Sequence, residues 1–158
     1  MLIELTNDTA FGFAGPNLRF LGSTDDFRML ATAILDLTDY TKAKSVVISN
    51  LPFVSFKTEN SSVIFRSTKD VDKLAFFEGN DIVFVLDPKY WDRLFRFFVL
   101  MSWEMRTHYL NYDESELSDL GLSQEINFIC SSEYPICHNR SNLATLTTPP
   151  NSLSLPDL

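Results

Sequence analysis

Cys130, Cys137 and His138 are the residues of this chain whose types could jointly hold a metal. Thiolate and imidazole ligands suit zinc, which takes four of them in a tetrahedron. The spacing here is C-x6-C-H, not the tight cysteine pair of a zinc knuckle, and no fourth ligand stands out. Cys130 is therefore expected to pack as a small buried hydrophobe at the end of a strand, Ile126 to Cys130. A disulfide between the two cysteines would need an oxidising compartment. His108 with Asp113, Glu114 or Glu116 has the composition of an acid–base set. Such catalysis needs a proton carrier held within hydrogen-bond reach of the reacting group, and a solvated acidic loop after a strand accounts for the same residues. The serines lack a Gly-x-Ser-x-Gly turn, and the 5 glycines form no phosphate-cradling loop. No catalytic residue, metal or cofactor is expected, and the chain reads as non-enzymatic.

Charge gives the one functional lean. The formal charge is −8 and the isoelectric point near 4.6. Residues 107–158 hold seven acids (Asp113, Glu114, Glu116, Asp119, Glu125, Glu133, Asp157) against Arg140, a balance of −6. Nucleic acid and anionic membrane surfaces both need a basic face, so neither is an expected partner. Phe-rich strands can stack single-stranded bases, but only beside a positive groove. A single-sign surface can instead steer a basic protein, which makes Asp113, Glu114, Glu116 and Asp119 the candidate partner contacts. Solubility alone would also explain them.

The elements that position these residues show a repeat. Ala10 to Asp36 (AFGFAGPNLRFLGSTDDFRMLATAILD) aligns with Leu74 to Leu100 (LAFFEGNDIVFVLDPKYWDRLFRFFVL) at a constant offset of 64 residues. Phe13 meets Phe77, Gly15 meets Gly79 and Phe20 meets Phe84. Ser23 meets Asp87, Phe27 meets Trp91, Leu30 meets Leu94 and Ile34 meets Phe98. These are the turn glycine, helix cap and buried helix face of a strand–turn–strand–helix unit. In the first copy, strands at 10–14 and 18–21 turn at Gly15-Pro16-Asn17. Ser23 or Thr24 caps a helix with Asp25 and Asp26 at its positive end. Phe27, Leu30, Ala31, Ile34 and Leu35 share its buried face. In the second copy, strands at 75–78 and 82–86 turn at Gly79-Asn80. Asp87-Pro88 opens a helix running to about Met105.

That second helix carries a stripe of Trp91, Leu94, Phe98, Met101 and Met105. Phe95, Phe97, Val99, Leu100 and Trp103 make its other faces apolar too. Core is the usual home of such residues, so a sheet on one side and a later segment on the other are expected to cover it. The alternative is an exposed aromatic strip that serves as an interface.

Elsewhere, Leu2 to Leu5 opens with a short strand and Ser45 to Ile48 is another. Residues 53–57 and 63–66 form a hairpin around Glu59-Asn60-Ser61. Strands follow at 108–112 and 125–130 with an acidic connector between them. From residue 138 the chain turns to Ser, Thr, Asn, Pro and Leu, with Pro149-Pro150 blocking regular structure. The expectation is one α+β domain over 1–137 and a flexible tail over 138–158. Its mainly antiparallel sheet would curve over two helices on one face, in the saddle shape of the TATA-binding-protein type. That likeness concerns shape alone. No apolar run reaches the length of a membrane span, and the N-terminus has no signal-peptide pattern. A cytoplasmic protein with reduced thiols is expected.

The run AFGFAGPNLRFLGSTDDFRMLATAI, the hairpins after it and the late HYLNYDESELSDLGLSQEINF together resemble small immunity proteins of bacterial polymorphic-toxin systems. Those have an early strand–helix unit and a late His/Tyr-rich strand followed by an acidic loop. The resemblance spans residues 1–130 and rests on pattern and order, with no motif position from which a binding residue carries over. It implies an antidote that binds a cognate toxin, often a basic nuclease, and needs no active site. The expected function is accordingly a non-enzymatic protein-binding module of immunity type. The alternative is a homo-oligomeric structural or small-ligand-binding domain that associates through the aromatic helix.

Overall fold

The computed structural model describes residues 1–7, 16–58, 61–71, 73–105, 107–110, 123–124 and 126–132. Within them the chain forms β1 (Leu2–Thr6), β2 (Asn17–Leu21), α1 (Thr24–Ile34), β3 (Lys44–Val47), β4 (Ser55–Phe56) and β5 (Val63–Ser67). These are followed by β6 (Lys73–Glu78), β7 (Asp81–Leu86), α2 (Pro88–Met101), β8 (Thr107–Leu110), β9 (Ser123–Gln124) and β10 (Asn127–Ser131). The class is α+β, as the sequence implies.

The strands divide between two five-stranded sheets, β4-β1-β2-β10-β8 and β3-β5-β7-β6-β9. A single mainly antiparallel sheet is not what forms. Each sheet has two parallel pairings (β1 with β4 and β2 with β10; β5 with β7 and β6 with β9) and two antiparallel ones. Read outward from the shortest strand, β4-β1-β2-β10-β8 and β9-β6-β7-β5-β3 follow the same sequence of parallel and antiparallel partners. In both, the third strand leads into a helix.

Long-range pairing joins the strands of both sheets. Both edges of β2 are taken, by β1 (Ile3 opposite Phe20) and by β10 (Phe128 opposite Leu18); residues 10–14, expected as its hairpin partner, lie outside the described residues. The Asn17 side chain, fully buried, accepts from Asn127 Nδ2 at 3.2 Å, and Asn127 N–H donates to the Pro16 carbonyl at 2.9 Å. Those bonds set where β10 lies along β2. The hairpin expected over 53–66 separates. Ser55 N–H donates to the Met1 carbonyl at 2.8 Å, drawing β4 beside β1. β5 inserts between β3 and β7 of the other sheet.

Local signals hold. Ser23 is the N-cap of α1 in a reciprocal capping box with Asp26. Asp87 caps α2, accepting from Lys89 N–H at 2.9 Å, with Pro88 in the first turn. Gly79 turns the β6–β7 hairpin at φ +65°, where a Cβ is strained. Phe27, Leu30, Ala31 and Ile34 of α1 and Trp91, Leu94, Phe98 and Met101 of α2 are all buried. Leu35 is exposed instead of buried, because the chain tightens into a 3-10 turn at Leu35–Thr38 and rotates it off the face. The second helix stops at Met101, where Ser102 caps it, and Met105 is exposed rather than on the buried stripe.

The inner faces of the two sheets meet in an aromatic core. Phe20 and Phe128 of one sheet lie 4.5 Å apart, centroid to centroid, and Phe84 of the other sheet is 5.2 Å from Phe128. Phe65 stands between them and Trp91, 4.9 Å from the latter. Phe27, near the start of α1, meets Phe98, near the end of α2, at 6.0 Å. Two serines tie the strand ends to the turns after the helices. Ser67 Oγ donates to the Leu37 carbonyl at 2.7 Å and Ser132 Oγ to the Glu104 carbonyl at 2.6 Å. The helix pair is thereby held to both sheets.

Candidate functional site

Asp113, Glu114, Glu116 and Asp119, expected to contact a partner, lie outside the described residues, as do Cys137, His138 and the 138–158 tail. The backbone brings Cys130 directly opposite His108 in the β8–β10 ladder. Cys130 is fully buried, and burial pushes its thiol well above the ordinary range, so it stays protonated and unreactive. Among the described residues, no three His, Cys, Asp or Glu side chains group as metal ligands.

The feature that stands out is the surface of the helix pair. α2 needs Trp91, Leu94, Phe98 and Met101 for the core. Of its other apolar residues, Tyr90, Phe95 and Phe97 are half-buried against the core, while Val99 is 37% exposed, Leu100 45% and Trp103, just beyond the helix, 82%. Burying a Trp removes roughly 200 Å² from water, worth about 5 kcal/mol at ~25 cal/mol per Å². Folding leaves most of that unrealised at Trp103. Trp91, the other tryptophan, is fully buried and donates from Nε1 to the Arg66 carbonyl at 3.0 Å.

Between the helices runs a groove of about 330 Å³. α1 forms one wall with Arg28, Ala31 and Thr32, and α2 the other with Phe95 and Val99, while Ser102 and Trp103 close the end. The shape follows from side-chain size. Beside Arg28, α1 places the small Ala31 and Thr32 where α2 places Phe95 and Val99. The hydroxyls in the walls are already committed. Thr32 Oγ1 donates to the Arg28 carbonyl at 3.0 Å and Ser102 Oγ to the Val99 carbonyl at 2.6 Å. Apart from Arg28, the lining is thus functionally apolar.

Cations edge the groove. Arg28 is held through Nε to Asp25 at 3.3 Å, and Arg96 through Nε to Asp92 at 2.9 Å. Both guanidiniums remain largely exposed, at 66% and 76%. Lys89 and Arg93 extend the positive strip toward the start of α2, each stacking on the Tyr90 ring. Within Pro88–Met101 stand three bases, Lys89, Arg93 and Arg96, against Asp92 alone, in a chain of net charge −8.

A second hollow, of about 260 Å³, lies beside Pro88 at the start of α2 and is lined by Tyr40, Lys42, Thr68 and Lys69 among others. Its neighbourhood is structural. Asp39 accepts from Thr41 N–H at 2.9 Å and Thr41 Oγ1 at 2.7 Å, and pairs with Lys44 at 3.1 Å. Those bonds, the backbone one foremost, hold the Asp39 carboxyl down at about 2.

Sequence reasoning anticipated the greasy helix but expected cover over it. It missed the groove, whose signal is the four-residue spacing of Phe95, Val99 and Trp103 off the buried stripe. Comparison of the chain with family models, with curated proteins and with solved structures finds no match.

Proposed function

We propose that this protein is a non-enzymatic protein-binding module that engages its partner through the α1–α2 face. The observation that carries the reading is the 82% exposure of Trp103 beside a ready-made apolar groove. Tryptophan with arginine at the rim of an apolar pocket is the composition of interface hot spots. The resemblance to small immunity proteins gives the module its concrete form, a cytoplasmic antidote that occludes a cognate toxin. An antidote needs no active site, in keeping with a sequence that offers no catalytic motif. Asp113, Glu114, Glu116 and Asp119 then serve to steer a basic toxin during encounter.

The fold supports this reading if the two sheets are two copies of one unit that have exchanged strands. Ser23 then corresponds to Asp87, Phe20 to Phe84 and Leu30 to Leu94, and the buried positions agree. The copies differ at the groove. Ala31 and Thr32 of α1 correspond to Phe95 and Arg96 of α2. Buried Phe20 and Phe84 match in character, as do Leu30 and Leu94, whereas buried Ala31 stands opposite the larger, half-buried Phe95.

The test is affinity capture from the native host at low and moderate salt, with the wild-type chain and a Trp103→Asp variant of equal thermal stability. One stoichiometric partner that the variant loses supports the reading. A partner held equally by both removes the α1–α2 face from it. If reversing Asp113, Glu114, Glu116 and Asp119 alone abolishes capture, the acidic stretch is the interface. Recovery of the chain only as its own oligomer favours the homo-oligomeric alternative, which would use the same exposed strip.

A further inference from the structure

Resting on the reading that the α1–α2 face is a docking surface, we infer that its occupant is an acidic amphipathic α-helix of the partner protein, laid in the groove between the two helices.

Backbone chemistry selects a helix. Both groove walls belong to α-helices, whose peptide groups bond within their own helix, and the wall hydroxyls of Thr32 and Ser102 donate to the Arg28 and Val99 carbonyls. The groove offers no strand edge, and its only spare donors are those of the Arg28 guanidinium. A guest segment that leaves water here must satisfy its own backbone, which an α-helix does and an extended peptide does not.

Shape and spacing agree. Phe95 and Val99 stand one turn apart on α2, about 6 Å, and Trp103 continues the four-residue spacing just past the helix end. A guest helix presents apolar anchors at the same interval, and the small side chains of Ala31 and Thr32 leave the room into which they insert.

Charge sets the sign. Arg28 and Arg96 flank the strip, and each bonds its own Asp through Nε, which leaves the outer Nη edge of the guanidinium facing solvent. Carboxylates placed beside a guest's apolar anchors can take those donors. A lipid surface fits less well. A concave groove accommodates a cylinder rather than a plane.

Trp103 reports the event directly, since Trp91 is buried and already bonded. The probe is an amidated peptide about 15 residues long, the length at which an isolated helix begins to hold. Leu occupies one face and Glu the flanks, and a counterpart carries Lys for every Glu. The expected result is a saturable blue shift of Trp103 emission with the Glu peptide, weakening as salt rises. In the Arg28→Glu/Arg96→Glu double variant the affinity falls by at least about tenfold, and the preference transfers to the Lys peptide.

Equal or tighter binding of the Lys peptide to the wild-type protein overturns the acidic partner and leaves the docking face standing. A shift produced by phosphatidylglycerol vesicles and not by the Glu peptide overturns it in favour of a membrane. A concentration-dependent shift without peptide, with a dimer in sedimentation, makes the occupant a second copy. Silence toward both peptides, with native capture still dependent on Trp103, overturns the helix alone. Native capture indifferent to Trp103 overturns the docking face as well.

Discussion

Replacing Asp26 by Asn tests what fixes α1, one wall of the groove. The Met1 ammonium donates to Asp26 Oδ1 at 3.0 Å and to the Phe53 carbonyl at 2.7 Å, and neither charged group of the ion pair is more than 5% exposed. Asp26 Oδ2 accepts from Ser23 N–H at 2.8 Å and Ser23 Oγ at 3.0 Å. One carboxylate thus joins β1, the loop before β4 and the cap of α1. An Asn keeps the shape and one acceptor. It removes the countercharge and turns an amide N–H toward either the ammonium or the Ser23 N–H. Removing one partner of a buried pair costs about 3–5 kcal/mol, because the other charge is left without a countercharge. We expect ~3 kcal/mol, the Phe53 carbonyl retaining part of the interaction, and therefore a fall in Tm of roughly 6–12 °C for a chain of this size. Urea and thermal unfolding of the wild type, Asp26→Asn, the N-acetylated chain and the acetylated Asp26→Asn chain form a double-mutant cycle. Acetylation removes the same charge from the other side, so the double change should cost ~2 kcal/mol less than the sum of the single ones. The loss should also hardly respond to added salt, since the pair is shielded from it. Additive effects, or an Asp26→Asn cost under ~1 kcal/mol, would refute the argument that this pair locks α1.

Three further outcomes follow from the geometry. A Cβ on Gly22 would sit 2.9 Å from Asp26 Cβ and 3.0 Å from its Oδ2, whereas a Cβ on Gly79 meets nothing within 4 Å but sits at φ +65°; Gly22→Ala should cost ~1–3 kcal/mol through crowding and Gly79→Ala ~1 kcal/mol through backbone strain, and unfolding curves that reverse the order would contradict this. In a Cys137→Ser background, Cys130 should react with a thiol reagent at mildly alkaline pH no faster than the protein unfolds, since burial keeps its thiol protonated; rapid labelling of the native state would show the site to be open. The Asp39 carboxyl should titrate near 2 by carbon-detected NMR rather than at 3.8; because its folded value is depressed, its contribution to stability is present above about pH 4 and lost as the pH falls toward 2, and a midpoint near 3.8 would mean that the Thr41 and Lys44 bonds do not form in solution.

What the sequence made legible was local. The Ser23 cap, the Asp87-Pro88 start, the Gly79 turn and both buried helix stripes each depend on residues within a few positions of one another. Strand partners were not legible, for a physical reason visible in β7. Ile82, Phe84 and Leu86 point into the core, yet Val83 and Val85 on the opposite face are buried too, so the period-two pattern that would assign faces and register is missing. β4 and β9 are two residues each, too short for any pattern, and their placement comes from bonds such as Ser55 N–H to the Met1 carbonyl. Of the candidate site, the aromatic richness of α2 was readable. Its exposure was not, because the groove exists only where the small side chains of α1 come to lie against the large ones of α2, and nothing in either segment alone states that they meet.

That meeting follows from how the strands are shared between the two sheets. β3 and β5 leave the first half of the chain to complete the sheet of β6, β7 and β9, and β8 and β10 leave the second half to complete the sheet of β1, β2 and β4. The parallel pairings at the centre of each sheet, β2 with β10 and β5 with β7, are therefore contacts between halves. Neither half can cover the inner edge of its own β2 or β7, and an open central edge is a liability that folding removes. Each helix directly follows one of those central strands. Closing the two sheets on each other fixes where both helices begin, and the Ser67 and Ser132 bonds fix where their following turns lie. The groove between α1 and α2 is consequently a preformed feature. A partner that fits it loses little to reorganisation of this chain, and the affinity it reaches depends chiefly on how well its own helix is formed before it docks.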